Sequence, residues 1–188
     1  MEHYNYLNNF HPLNPEDYDL LTKNLRTKSF KKGELLIVPG QVQKELYFVE
    51  RGIQMSYFEN DDKMQVIAFT YSPNLCAIPE SFSLQVPSTY YLTCLTDSEV
   101  KYIHFDALQQ LFDQSQPIER LFRKMTEYAL AGIIKRHQEL HSLTMAERYK
   151  TFCQRSSFLL QLVPHKYIAS YLGIDPTNFS KLFNHVKF

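Results

Sequence analysis

The hydrophobic period of this chain changes once, near residue 106, and no other feature restricts its fold as much. Before that point stand six short apolar and aromatic runs: "ELLIV", "ELYFVE", "IQMSYFE", "MQVIAFTY", "TYYLTCL" and "VKYIHF". Short runs rich in β-branched and aromatic residues, bounded by turn formers, read as strands. The turn formers here are Lys32-Gly33, Pro39-Gly40, Arg51-Gly52 and the polar stretch "NDDK" at 60–63. So many short strands at near-regular spacing predict an antiparallel sheet rolled or closed on itself. One helix precedes them. Residues 13–25 open with Asn-Pro-Glu and carry Tyr18, Leu21 and Leu25 at helical spacing.

Past residue 106 the apolar positions follow a helical period. "FDALQQLF" predicts a short helix, and Pro117 can occupy the first turn of a longer one over 117–141. Along it Ile118, Leu121, Met125, Tyr128 and Gly132 form one apolar edge, widened by Phe122, Ala129, Ile133 and Leu140. A helix with two apolar edges can pack on its own sheet and on a second copy of itself. The expected dimer interface is therefore Ile118, Leu121, Phe122, Met125, Tyr128, Ala129, Gly132 and Ile133. Thr144, with Glu147 three residues later, has the form of a capping box. "MAERYKTFCQRS" and "SFLLQLV" then read as further helices.

The stretch "HKYIASYLGIDPTNFSKLF" is the most specific in the chain. Ile168, Ala169 and Leu172 share one helix face, and the small Ala169 lets a second helix cross close by. Gly173 permits the positive φ of a sharp helix end, Asp175 can cap the next helix, and Pro176 fits its first turn. Phe179 and Leu182 anchor that second helix. This is the pattern of a helix-turn-helix. The face left over, Thr177, Asn178, Lys181 and His185, is polar and free of any demand from the core. Asn178 has the amide geometry for adenine, Lys181 can donate to guanine or phosphate, and Thr177 can reach a phosphate or a thymine methyl. Lys166 and Tyr167 open the first helix, where a backbone phosphate would meet amide N–H groups.

Charge distribution agrees with a polyanion at that end. The chain is neutral overall, yet residues 142–188 carry six basic side chains against two acidic ones, leaving 14 basic against 18 acidic elsewhere. Three dispersed cysteines, Cys76, Cys94 and Cys153, fit reduced thiols and a cytoplasmic protein better than a disulfide framework. With 44% hydrophobic residues but no apolar run long enough to span a bilayer and no visible signal peptide, no membrane association is expected.

Together these stretches resemble the CRP/FNR family of bacterial transcription regulators. The clearest likeness is "FKKGELLIVPGQVQKELYFVERGIQMSYFENDDKMQVIAF", with Gly33, Gly40 and Gly52 where the family's roll turns need glycine; "DSEVKYI" resembles its closing strand. The resemblance implies an α+β fold: an antiparallel β-roll or jelly-roll sensor domain over 1–105, a linker and dimerisation helix over 106–141, and a small all-α helix-turn-helix domain over 142–188. It implies a homodimer on double-stranded DNA, with RNA polymerase as a further partner and no catalytic residues. The family's effector pocket would fall on "AIPESFSLQVPST", with Ala77, Glu80, Pro87, Ser88 and Thr89 as its residues.

Members that bind cyclic nucleotides carry Gly-Glu and, about ten residues on, Arg-Ser there. With Ser88 on the family serine, Pro87 stands at the arginine, Ala77 at the glutamate and Cys76 at the glycine. Both charged contacts are replaced, so no response to cyclic AMP is expected; the effector stays unassigned. An apolar pocket, or one filled by aromatic side chains, is expected instead. Pro176 and Thr177 likewise replace the family's base-contacting Arg and Glu, and the chain ends at Phe188, before a β-hairpin wing. No cysteine precedes Cys76 to match the iron–sulfur branch, and His104 and Cys76 lie in no haem motif. No cofactor or metal is therefore expected. Two other classes stand beside the regulator: a small-molecule sensor or interaction module without DNA binding, and a cupin-like metal enzyme. The second needs clustered ligands, whereas histidines 3, 11, 104, 137, 141, 165 and 185 are scattered, with only His137 and His141 at a helical spacing.

Overall fold

All six apolar runs become strands, and two strands that the pattern does not announce join them. A computed structural model of the chain describes residues 2–61 and 63–185. Helices α1 (Glu2–Asn8) and α2 (Pro15–Thr22) come first, then β1 (Arg26–Phe30), β2 (Leu35–Ile37), β3 (Glu45–Arg51), β4 (Ile53–Asn60), β5 (Lys63–Tyr71) and β6 (Leu75–Cys76). Helix α3 (Pro79–Leu84), β7 (Tyr91–Cys94) and β8 (Ser98–His104) complete the sheet region. The helices α4 (Phe105–Gln114), α5 (Gln116–Ser142), α6 (Met145–Ser156), α7 (Leu159–Leu162), α8 (His165–Leu172) and α9 (Pro176–His185) follow. The architecture is α+β with antiparallel sheets, as expected. Strand β1, "RTKSF", is exposed along almost its whole length and so carries no apolar signature.

The strands form two four-stranded sheets, ordered β1-β8-β3-β6 and β2-β7-β4-β5. In the first, Leu46 lies opposite Ile103 and Tyr47 opposite Tyr102, and the register shifts between Val49 and Arg51. The next residue, Gly52, has φ +99°, and a Cβ there would sit 2.7 Å from the Asp97 carbonyl oxygen and collide with Ser98 Oγ. Only glycine fits. Ile37, Tyr47, Val49, Cys76, Leu92 and Val100 fill the roll. On its other side Leu7 and Leu21 of the first two helices meet Phe48, Ile103, Leu108 and Ile118. Each such side chain contributes about 1.5–3 kcal/mol when fully buried.

Contacts divide the chain into two compact units. The first runs through Ser56 and resumes over Phe69–Ala129; the second joins Tyr57–Ala68 to the chain from Leu130 onward. Tyr149, Phe152, Leu159, Val163, Ile168 and Phe179 form the buried interior of the second. There Ser170 Oγ accepts from the Val66 N–H at 3.0 Å and donates to the Met64 carbonyl at 3.0 Å, so α8 is bonded to β5. The capping box forms: the Thr144 N–H donates to Glu147 Oε2 at 2.8 Å, and Thr144 Oγ1 accepts from the Glu147 N–H. The bond from the Thr144 N–H holds the Glu147 carboxyl below its ordinary range. Among the described residues no helix is long and apolar enough to cross a membrane.

Candidate functional site

The terminal helix pair turns at Gly173, whose φ of +60° closes α8. The Ile174 N–H donates to the Ala169 carbonyl and the Gly173 N–H to that of Ser170, the two bonds of a Schellman cap. Asp175 Oδ1 accepts from the Thr177 N–H at 2.9 Å, capping α9. Ile168, Ala169, Leu172, Ile174 and Phe179 are buried, and Phe179 meets Tyr149 edge-on at 5.6 Å. The opposite face holds Lys166, Thr177, Lys181 and His185, all exposed, with Asn178 and Tyr167 half-buried. The side chains of Thr177, Asn178 and Lys181 have no hydrogen-bond partner among the described residues. The Lys166 ammonium lies 4.9 Å over the Tyr167 ring, and His185 Nδ1 donates to the Lys181 carbonyl at 2.7 Å. Lys187 and any wing lie outside the described residues.

Two arginines fix that turn inside the second unit. Arg148 donates to the Leu143 carbonyl at 2.9 Å, the Leu140 carbonyl at 3.2 Å and the Gly173 carbonyl at 3.2 Å. Arg136 stacks on the Tyr171 ring at 3.4 Å and donates to the Tyr171 carbonyl. Both complete carbonyls that helix ends leave open. Arg148, counted above among the charges awaiting a polyanion, is a structural clamp.

In residues 77–89, by contrast, the side chains of Ser81, Gln85, Ser88 and Thr89 are already bonded. Gln43 is wholly buried; its Oε1 accepts from the Ile78 N–H at 2.8 Å and its Nε2 donates to the Glu45 carbonyl at 2.7 Å. The Gln43 N–H donates to Ser81 Oγ at 2.9 Å, and that hydroxyl donates to the Val86 carbonyl at 2.8 Å. Gln85 Nε2 reaches the Phe82 carbonyl at 2.6 Å and the Gln43 carbonyl at 3.1 Å. The expected pocket residues separate: Ser88 is buried, Ala77 and Glu80 are half-buried, Pro87 and Thr89 are exposed. Thr89 Oγ1 donates to the Glu80 carboxylate at 3.2 Å. The groups that meet this segment's backbone are the carboxamides of Gln43 and Gln85 and the hydroxyls of Ser81 and Ser88.

Helix α5 corrects the expected interface. Ile118 and Leu121 have no exposed surface and lie in the first unit's core, with Phe122 and Met125 packed against it. A side chain sealed in its own core cannot also face a partner. Periodicity marks an apolar edge without saying what covers it, which is why Ile118 and Leu121 were drawn into the seam; Phe122 and Met125 are half-buried. The exposed apolar residues begin later: Tyr128 at 61%, Leu130 at 57%, Ile133 at 60% and Ile134 at 61%. Ala129 and Gly132 are exposed as well.

Residues 27–115 match the cyclic nucleotide-binding domain family. No curated protein shows significant sequence similarity to the chain. Solved structures do resemble it in fold. FixK2 from Bradyrhizobium japonicum is 18% identical with a TM-score of 0.74, covering 85% of this chain and 83% of its own. A protein from Eubacterium rectale assigned to the CRP/FNR family of transcriptional regulators is 15% identical, TM-score 0.73, covering 98% of this chain and 87% of its own. The c-di-GMP responsive global regulator CLP of Xanthomonas campestris is 16% identical, TM-score 0.65, covering 91% and 90%. The fold is that of CRP/FNR regulators.

Within the matched segment, the sequence reading missed Gln43 and Ser81, because a polar residue in a loop reads as solvent-facing. Cys76 is buried, and burial pushes its thiol up to about 12. His104 is exposed and caps α4, its Nδ1 3.4 Å from the Asp106 N–H. His137 and His141 lie with rings 4.4 Å apart, but among the described residues no three His, Cys, Asp or Glu side chains are grouped to hold a metal.

Proposed function

We propose that the chain is a homodimeric, non-enzymatic, DNA-binding transcription regulator of the CRP/FNR type whose roll does not respond to cyclic AMP. The observation that carries this reading is the terminal helix pair. Its inner face is sealed by Ile168, Leu172 and Phe179, and its outer face holds Asn178, Lys181, Thr177 and Lys166, whose side chains have no hydrogen-bond partner among the described residues. An outward polar face on the second helix of such a pair suits the major groove. In this reading the roll is the sensor module, α5 from Tyr128 onward is the dimer seam, and the chain from 142 onward carries DNA.

The likeness in fold to regulators supports the reading, as does the basic excess of the last helices. The Glu80 carboxylate, the one charged side chain in the segment 77–89, supports the exclusion of cyclic nucleotides, because it opposes a phosphate. Selection of bound duplexes from a random pool, followed by gel shifts at low and high salt, tests it. A short palindromic preference with affinity falling steeply as salt rises is the expected result. Absence of any selected sequence would leave the chain a sensor or interaction module.

A further inference from the structure

The geometry points to a roll that is latched by its own Gln43 and so supports DNA binding without a small-molecule effector. This rests on the regulator reading above and concerns what controls it. An effector shifts a protein only by bonding better to one arrangement than to another. For a phosphate-bearing ligand those bonds come from free N–H donors and a cation. Here four of the segment's N–H donors are already taken: that of Ile78 by Gln43 Oε1, that of Ser88 by the Gln41 carbonyl, that of Tyr90 by Ser88 Oγ, and that of Phe82 by the Ile78 carbonyl. The one charge in the segment is the Glu80 carboxylate, bonded to Thr89.

Gln43 binds the segment with every polar group it has. Its carboxamide joins Ile78 to Glu45 at the start of β3, its N–H holds Ser81, and its carbonyl holds Gln85. Gln85 in turn takes the Lys44 ammonium on Oε1 at 2.7 Å. A buried polar network that is fully satisfied rigidifies the segment in one arrangement. The protein supplies from its own side chains the bonds that a ligand would otherwise bring.

The test begins with protein unfolded in denaturant, freed of small molecules and refolded. It should bind its selected duplex within about twofold of the native preparation, and millimolar cyclic AMP, cyclic GMP or cyclic di-GMP should not change this. In the same refolded protein the Ile78 and Ser88 amides should be protected from hydrogen exchange. Gln43→Met keeps the side-chain length and removes both amide bonds. It should leave the roll folded, release the Ile78 amide to exchange and weaken DNA binding about tenfold. DNA binding that returns only when a nucleotide or a small-molecule cell extract is added overturns the inference. Free exchange of Ile78 in the wild type does so equally. If no preparation binds any duplex, the regulator reading falls, and the exchange measurement still decides the latch.

Discussion

In residues 77–90 the hydroxyls and amides of Ser81, Gln85 and Ser88 bond to neighbouring backbone. In residues 165–185 those of Thr177 and Asn178, with the Lys181 ammonium, point outward without protein partners among the described residues. The two stretches differ in charge, Glu80 in the first against Lys166 and Lys181 in the second, but both mix short polar side chains with buried aromatic ones. What separates them further is where the bonds go. A group already bonded internally must break that contact, worth about 0.5–1.5 kcal/mol net, before it can serve a ligand. An exposed group gives up only water. The chemistry available to a partner therefore sits in the second stretch, although the fold would place a ligand in the first. Helix α5 repeats the division along its own length, its first half sealed at Ile118 and Leu121 and its second half open at Leu130, Ile133 and Ile134.

The widest separation is expected across α5. Ile133→Glu should yield monomers by sedimentation and lower DNA affinity about a thousandfold, because bivalent engagement is lost. An unchanged dimer would remove the open half of the helix from the account. Next in size, Phe179→Ala should destabilise the second unit by about 3–5 kcal/mol in denaturant unfolding. Lys181→Ala, on the other face of the same helix, should leave the unfolding curve unchanged.

Smaller and more selective, Asn178→Ala should weaken the preferred duplex by about 1–3 kcal/mol and random DNA little. Lys166→Ala should weaken all duplexes alike and reduce the salt slope by about one. Equal losses for Asn178→Ala on both kinds of DNA would show that α9 does not read bases. Thr144→Ala should destabilise the protein by about 1 kcal/mol through its cap. Because the Glu147 carboxyl is held below its ordinary range, its share of that cap is present at neutral pH and is lost as pH falls through the folded value. Glu147→Ala, which lacks that carboxyl, and wild type should therefore converge in acid, as unfolding at neutral and acidic pH would reveal. The smallest effect is nil: calorimetry with cyclic AMP should give no heat of binding, and a micromolar dissociation constant would reverse the comparison of the two stretches.

Much of the fold is legible in the sequence because its signals are local. The turn at Gly52, the capping box at Thr144 and Glu147, and the Gly173 helix end each depend on a few neighbouring residues. What was not legible depends on distant neighbours. Strand β1 is polar and exists through pairing with β8, Arg26 opposite Tyr102 and Lys28 opposite Val100. Gln43 is buried because α3 and β3 converge on it, and Arg148 is a clamp because three carbonyls from separate places meet there. The candidate DNA face was readable because it is defined by what the core does not use. The point at which α5 leaves the core was not readable, since Ile118 and Ile133 share a pattern but not a neighbour.

Strand β5 lies at the edge of its sheet, and an edge strand presents unpaired amide and carbonyl groups on which a strand from another molecule can build. Ser170 occupies two of these groups at once, the Val66 N–H and the Met64 carbonyl. A hydroxyl can both accept and donate as a strand does, but it is too short to extend the ladder. The charged Lys63 stands at the start of the same strand. Addition of a strand from another molecule is thereby hindered at these two groups by a helix side chain.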